Sequence, residues 1–211
     1  MNIDQENIRA WDNVAELYQA SFMDLDLYND SYDAFCQRIR KPGATVFEIG
    51  CGPGNITRYL LRKRPDLDIL ATDVAPSMIE LARKNNPAAR FEVMDGRDIG
   101  RLDGRFDGIM CGFCLPYLSE TDSARLIRDC SLLLNTGGVL YLSAIEGDYG
   151  QSGYETGSNP EIRMFVHYYS EEFLHAALEA NAFGHIEVLR KPYSRRDGTR
   201  STHLIFIATK K

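Results

Sequence analysis

The sequence is short of lysine and of long apolar runs, and its cysteines form no regular framework. Six Lys stand beside 18 Arg, and 24 basic against 30 acidic residues leave a net charge of −6. That balance argues against nucleic acid as the main partner, because phosphate backbones are held by clustered Lys and Arg. No stretch approaches the ~18 consecutive apolar residues of a membrane span. The opening, MNIDQENIRAWDNVAELYQASF, has no basic, long apolar segment. No secretory signal is therefore expected, and a cytoplasmic location is. Five cysteines (Cys36, Cys51, Cys111, Cys114 and Cys130) make an odd set, which suits a reducing compartment. Cys111 and Cys114 have CxxC spacing, but no second pair or nearby His completes a zinc site. The run around them, GIMCGFCLPYL, reads as apolar core in which cysteine packs as a small hydrophobe. No metal is expected.

What is present is a foldable composition, 44% hydrophobic and 26% charged over 211 residues. Single cores serve about 100–200 residues, so one domain spanning 1–211 is expected. A two-domain dehydrogenase, with separate cofactor and substrate cores, does not fit that length.

Hydrophobic patterning alternates between strand and helix. TVFEI at 45–49 follows Pro42-Gly43 and reads as a buried strand. A glycine-rich turn and NITRYLLRKR come next, with Ile56, Tyr59, Leu60 and Lys63 at helical spacing. LDILAT (67–72) is a second strand ending at Asp73. Pro76 then sits where a first helical turn tolerates proline. RFEVM (90–94) and FDGIMC (106–111) give two more strands. Ser119-Glu-Thr-Asp122 resembles a capping box that opens a helix through Leu134. Gly137-Gly138 is expected to stop that helix before a fifth strand, VLYLSA (139–144). This alternation predicts βαβ units and a parallel sheet covered on both faces. A helix at 170–181 precedes HIEVLRK and THLIFIATK, whose short polar connection requires antiparallel pairing. The expected organisation is a helical cap over 1–40, a core over 43–145, a substrate lid over 146–169, and a final helix and antiparallel hairpin over 170–211.

The chemistry concentrates at strand ends. Val46-Phe-Glu-Ile-Gly-Cys-Gly-Pro-Gly54 is a strand running into a GxGxG turn and then a helix. A dinucleotide fingerprint would want glycine where this chain has Asn55. Glu48, just before the turn, would repel a pyrophosphate and suits a ligand end bearing an ammonium. Asp73 ends the second strand 19 residues past Gly54, the spacing of an acid that takes ribose hydroxyls. Asp95, followed by Gly96, ends the third strand. Each alone reads as a strand-end turn or helix cap. Three in register beside a glycine loop read as one binding edge.

FEIGCGPGNIT, LATDVAPSMIELAR, FEVMDGRDI, FDGIMCGFCLPYL and LLLNTGGVLYLSA together resemble the successive motifs of small class I S-adenosylmethionine-dependent methyltransferases. The resemblance covers residues 43–145. It implies an α/β fold with a Rossmann-like, seven-stranded, mostly parallel sheet, helices on both faces and the last strand antiparallel. It also implies S-adenosylmethionine (AdoMet) across the strand C-termini. By that likeness Glu48, Gly50, Cys51, Gly52 and Gly54 form the loop under the methionine portion. Asp73 would bind the ribose, Val74 flank the adenine, and Asp95 with Gly96 meet the adenine amine. Cys111 would face the methionine part through its carbonyl, and Tyr18 would close over the cofactor. Many relatives carry a histidine where this chain reads Leu115-Pro116-Tyr117. Pro116 cannot act as acid or base, which leaves Tyr117 to wall the methyl pocket.

An activated sulfonium methyl needs alignment with its acceptor and exclusion of water, and a base only when the acceptor arrives protonated. No NPPY-type stretch follows the fourth strand, so methyl transfer to an O, N or S atom of a small molecule is the expected function. Base candidates are His167, His203, Glu146 and Asp148, with His167 the foremost and a structural role open for it and for His203. Tyr149, Tyr154, Tyr168 and Tyr169 crowd the lid. A catalytically silent AdoMet-binding protein is the alternative, and an NAD-binding oxidoreductase is disfavoured by Glu48 and Asn55. Arg190, Lys191, Arg195, Arg196 and Arg200 gather near the terminal hairpin loop, either as a solvated turn or as a surface for an anion.

Overall fold

Four of the five residues of β1 (Thr45–Ile49) are buried, as a strand enclosed on both faces of a sheet requires. It pairs in parallel with β2 (Asp68–Asp73) on one side and β4 (Phe106–Cys111) on the other. The sheet extends through β3 (Arg90–Val93) beyond β2 and through β5 (Leu134–Ile145) beyond β4, all parallel. These coordinates are a computed structural model in which residues 3–156, 162–195 and 198–211 are described. A small antiparallel pair, β6 (Gly153–Thr156) and β7 (Arg163–Val166), stands outside the main sheet. The last two strands, β8 (Phe183–Ser194) and β9 (Arg200–Lys210), complete it in the order β3-β2-β1-β4-β5-β9-β8. β9 runs antiparallel to both β5 and β8, so it alone among the seven points the other way.

Alternation along the strands divides the core between two faces. Leu140, Leu142, Leu204 and Phe206 face one way, toward α5 (Glu120–Leu133) and α6 (Glu171–Ala180). Tyr141, Ile205 and Ile207 face the other, toward α2 (Asn29–Arg38) and α3 (Asn55–Lys63). The remaining helices are α1 (Ile3–Phe22), in the N-terminal cap, and α4 (Pro76–Asn85), which has its proline at the start. The cap at α5 differs in detail from a capping box. Ser119 accepts from the Asp122 amide at 3.1 Å, and its hydroxyl donates to the Asp122 carboxylate at 2.9 Å.

Two expectations need correction. Gly137-Gly138 lie inside β5, because buried Leu134 already pairs with Phe106 and the register shifts before Gly108 meets Val139. The glycines therefore accommodate an irregularity in the strand rather than a helix end; Gly137 has φ +79°. The segment expected as a loop over 146–169 contains β6, β7 and a 3₁₀ turn at Tyr149–Gln151. Residues 157–161 of it lie outside the described residues.

Candidate active site

The sheet order reverses between β1 and β4, and the crevice at the strand C-termini there is where open α/β sheets bind ligands. In this structure it opens into a cavity of about 650 Å³, roofed by α1 and the β6–β7 pair.

Its floor is the turn after β1. Gly50, Gly52 and Gly54 all have positive φ, a region that L side chains enter only at a cost. At Gly54 space is lacking as well: a Cβ would lie 2.3 Å from Asn86 Nδ2. That amide donates to the Gly54 carbonyl at 2.9 Å, while neighbouring Asn85 donates to Pro53 O at 2.8 Å. The end of α4 thus ties down the loop.

Asp73, at the tip of β2, is anchored by backbone. Its two carboxylate oxygens accept from Gly52 N–H and Ala75 N–H, each at 2.9 Å. Burial raises its pKa against the pull of these amides. Glu48 lies behind the loop, 1% exposed. One oxygen accepts from the Thr57 hydroxyl at 2.5 Å, and the other has no partner among the described residues. Burial pushes its carboxyl up to about 8, against the Thr57 bond, with Asp73 adding to the rise. At the end of β3, Asp95 accepts from the Arg97 amide at 2.9 Å and from its guanidinium through contacts of 2.6–3.1 Å. Burial opposes ionisation of Asp95, but Arg97 outweighs it and the pKa falls. Arg97 also pairs with Asp4 of α1, so Asp95 is linked to the roof.

Aromatic rings close the top. A Cβ on Gly52 would meet the Tyr18 ring at 3.5 Å. Trp11 packs edge-on against both Tyr18, at 5.3 Å, and Tyr117, at 5.0 Å. Of the residues singled out from sequence, Tyr18, Gly50, Cys51, Gly52 and Asp73 line the cavity, as do Val74, Asp95, Gly96 and Tyr117. Glu48 and Gly54 lie behind the loop that they shape. Cys111 is fully buried in the core cluster shared with Leu126 and Cys130, and Gly112, Phe113 and Cys114 supply the wall.

His167 requires a correction. Its ring stacks on Tyr149 at 5.4 Å with a 10° tilt, its Nδ1 is buried without a partner, and it does not line the cavity. The backbone explains this, because β7 leads out along the rim and the His167 amide donates to Pro116 O at 2.7 Å. Glu146 and Asp148 are also off the wall. Glu146 pairs with Arg190 at 2.8 Å, and Asp148 caps the 3₁₀ turn through the Gly150 amide at 2.8 Å.

His203 does line the cavity. Its Nδ1 lies 2.6 Å from the Tyr28 hydroxyl and its Nε2 lies 3.2 Å from the Ser201 hydroxyl. Tyr193 stacks on the ring at 4.9 Å, and Phe113 meets it edge-on at 4.8 Å. Burial and then Arg195 push its pKa down to about 4. Arg195 itself is paired with Glu155 of β6 at 2.8 Å and donates to the Tyr168 hydroxyl at 3.3 Å. Arg196 lies outside the described residues. The contributions of Tyr28, Phe113, Glu155 and Ser201 have no motif. The usable signal was a polar Ser201 and His203 at alternate positions of β9 in line with buried Ile205 and Ile207.

Comparison with known proteins fits this geometry. Residues 46–138 match the methyltransferase domain family. That segment belongs to the family. The chain is 30% identical over 118 residues to the ubiquinone biosynthesis O-methyltransferase of Xanthomonas campestris pv. campestris, covering 54% of this chain and 48% of the relative. The chain spans between 21% and 48% of the length of the first curated relatives that it matches. Among solved structures, the DhpI–SAH complex has a TM-score of 0.74 at 17% identity, over 99% of this chain and 97% of that one. The magnesium protoporphyrin IX methyltransferase of Synechocystis PCC 6803 with bound SAM has a TM-score of 0.68 at 18% identity, over 100% and 98%. At these identities the likeness is one of fold. The chain has the mostly parallel sheet, with its last strand reversed, that the motifs implied.

Proposed function

We propose that the chain, as one domain over 1–211, is an AdoMet-dependent methyltransferase acting on an O, N or S atom of a small molecule. The observation that carries the reading is Asp73. Two backbone amides fix its carboxylate at the rim of the glycine loop and leave it lone pairs for a pair of vicinal hydroxyls. AdoMet, when bound, supplies a methyl group activated by its sulfonium.

The residues fit such a ligand. Glu48 lies buried behind the loop with one oxygen unpartnered among the described residues and its carboxyl pushed up to about 8; a nearby ammonium would draw it toward ionisation, whereas a pyrophosphate would be repelled by the ionised form. Gly50, Cys51 and Gly52 present backbone to the methionine end, Gly112 does so in place of the buried Cys111, and Val74 with Asp95 and Gly96 takes the base. Tyr18 and Trp11 exclude water from above, while Tyr117 walls the acceptor side. A cytoplasmic location suits the five free cysteines, and a small molecule rather than nucleic acid suits the net charge of −6.

Titration calorimetry with AdoMet and with NAD tests the ligand. AdoMet is expected to bind and NAD is not; tight NAD binding without AdoMet would overturn the reading. Release of S-adenosylhomocysteine across a panel of acids, amines, thiols and phenols then tests turnover.

A further inference from the structure

The cavity has a second end, built by β9, β8 and the start of α2, three places along the sheet from β1. Its walls are rings: Phe113, Tyr117 and Tyr193. Its charged side chains, Glu155 and Arg195, are spent on each other at 2.8 Å. Among the described residues, an ammonium acceptor entering here would find no free carboxylate, and a carboxylate acceptor no free cation. What is offered is one imidazole, with the Tyr28 and Ser201 hydroxyls on its two nitrogens. From that arrangement we infer that His203 is the catalytic base of this site, and that the acceptor is an uncharged hydroxyl compound with a flat aromatic or enolic body. The inference rests on the methyltransferase reading and names the substrate class of the same site.

A neutral hydroxyl is the acceptor type that needs a base, since its proton must leave as the new bond forms. The acceptor oxygen bonds to the methyl carbon while the carbon–sulfur bond breaks, its electron pair remaining on sulfur. The hydroxyl proton passes to His203 Nε2 and later to solvent. Nδ1–H then donates to the Tyr28 oxygen 2.6 Å away, which orients the ring. Tyr28 is itself held from behind, because Ser31 donates to its carbonyl at 2.6 Å. Ser201, 3.2 Å from Nε2, marks the position that the acceptor hydroxyl takes or reaches through.

The groups facing the imidazole are Tyr28, Ser201, Tyr193 and Arg195, with Glu155 behind Arg195. Burial and Arg195 keep the ring uncharged at neutral pH, so the acceptor can take the Nε2 lone pair in place of Ser201 or through its hydroxyl. Such a base is weak, but the proton becomes strongly acidic as the oxygen is alkylated.

The test uses the full chain, labelled with ¹⁵N-histidine and saturated with S-adenosylhomocysteine. Adding 4-methylphenol or 2-naphthol should shift the His203 ring nitrogens, and adding benzylamine or benzoate should not. With AdoMet, His203→Gln should lower kcat on these phenols about 100-fold and leave S-adenosylhomocysteine affinity within twofold. Tyr28→Phe should lower kcat less and move the acid limb of the pH profile. An unshifted His203, full activity in His203→Gln, or phenols left unmethylated by a chain that binds S-adenosylhomocysteine would overturn the inference. Failure to bind S-adenosylhomocysteine at all would overturn the methyltransferase reading instead.

Discussion

Asn7 uses both ends of its side-chain amide on the backbone of one residue, Phe165. Its Nδ2 donates to the carbonyl at 2.9 Å and its Oδ1 accepts from the N–H at 2.8 Å. The amide behaves as one peptide unit of a neighbouring strand, and it fastens α1 to the open edge of β7. The cavity roof is therefore held by a two-point clasp, with Tyr154 adding a bond to Glu6 at 2.7 Å.

Asn7→Ala leaves both Phe165 groups unpaired. A loss of about 1–3 kcal/mol is expected where such groups stay buried. Hydrogen exchange read at the Phe165 amide should quicken while β1 and β4 keep their protection. Uniform loss of protection across the sheet would instead make Asn7 part of the global core.

Asp73→Ala removes the carboxylate that Gly52 and Ala75 orient. AdoMet affinity measured by calorimetry should fall by about 1.5–3 kcal/mol, the range for a hydrogen bond to a charged group. An unchanged affinity would mean that the ribose is held elsewhere.

Glu48 makes stability depend on pH in a direction opposite to most carboxylates. Its folded pKa is raised from 4.5 to about 8, so between those values the unfolded chain releases a proton that the folded chain keeps. Stability from this group is full below about 4.5 and declines by up to about 1.4 kcal/mol per pH unit toward 8. Glu48→Gln should flatten that decline, gaining on wild type in urea midpoint at pH 8 relative to pH 5. An equal offset at both pH values would rule out a protonated Glu48.

Gly54→Ala should destabilise the fold by more than the ~1–2 kcal/mol cost of a left-handed alanine, since its Cβ also strikes Asn86. Asn86→Ala in the same background should recover part of that loss, as seen in thermal denaturation. No recovery would place the cost in the backbone alone.

Much of the cavity's glycine-loop end was legible because its residues sit at fixed offsets in short strand–turn–helix units. Asp73 and Asp95 end strands that hydrophobic runs delimit, and the glycines between β1 and α3 have a spacing that local geometry imposes. The acceptor half was not legible in this way. His203, Tyr28 and Glu155 come from three segments far apart in sequence, and only the pairing of β9 with β5 brings the first to the second. The four-residue strands β6 and β7 are too short for alternation to distinguish them from a Gly- and Ser-rich loop. His167 looked apt because of its neighbours in sequence, and the turn out of β7 carries its ring away from the cavity.

β8 reaches the rest of the sheet only through β9, which follows it in the chain. On the ribosome, β5 must wait as an exposed edge, and β8 without a partner, until residues 200–210 have emerged. The glycine floor can assemble early from local units. The wall that carries Tyr193, Arg195 and His203 is closed by the last strand to arrive. A nascent chain would thus complete the floor of the cavity before it could complete the wall that faces it.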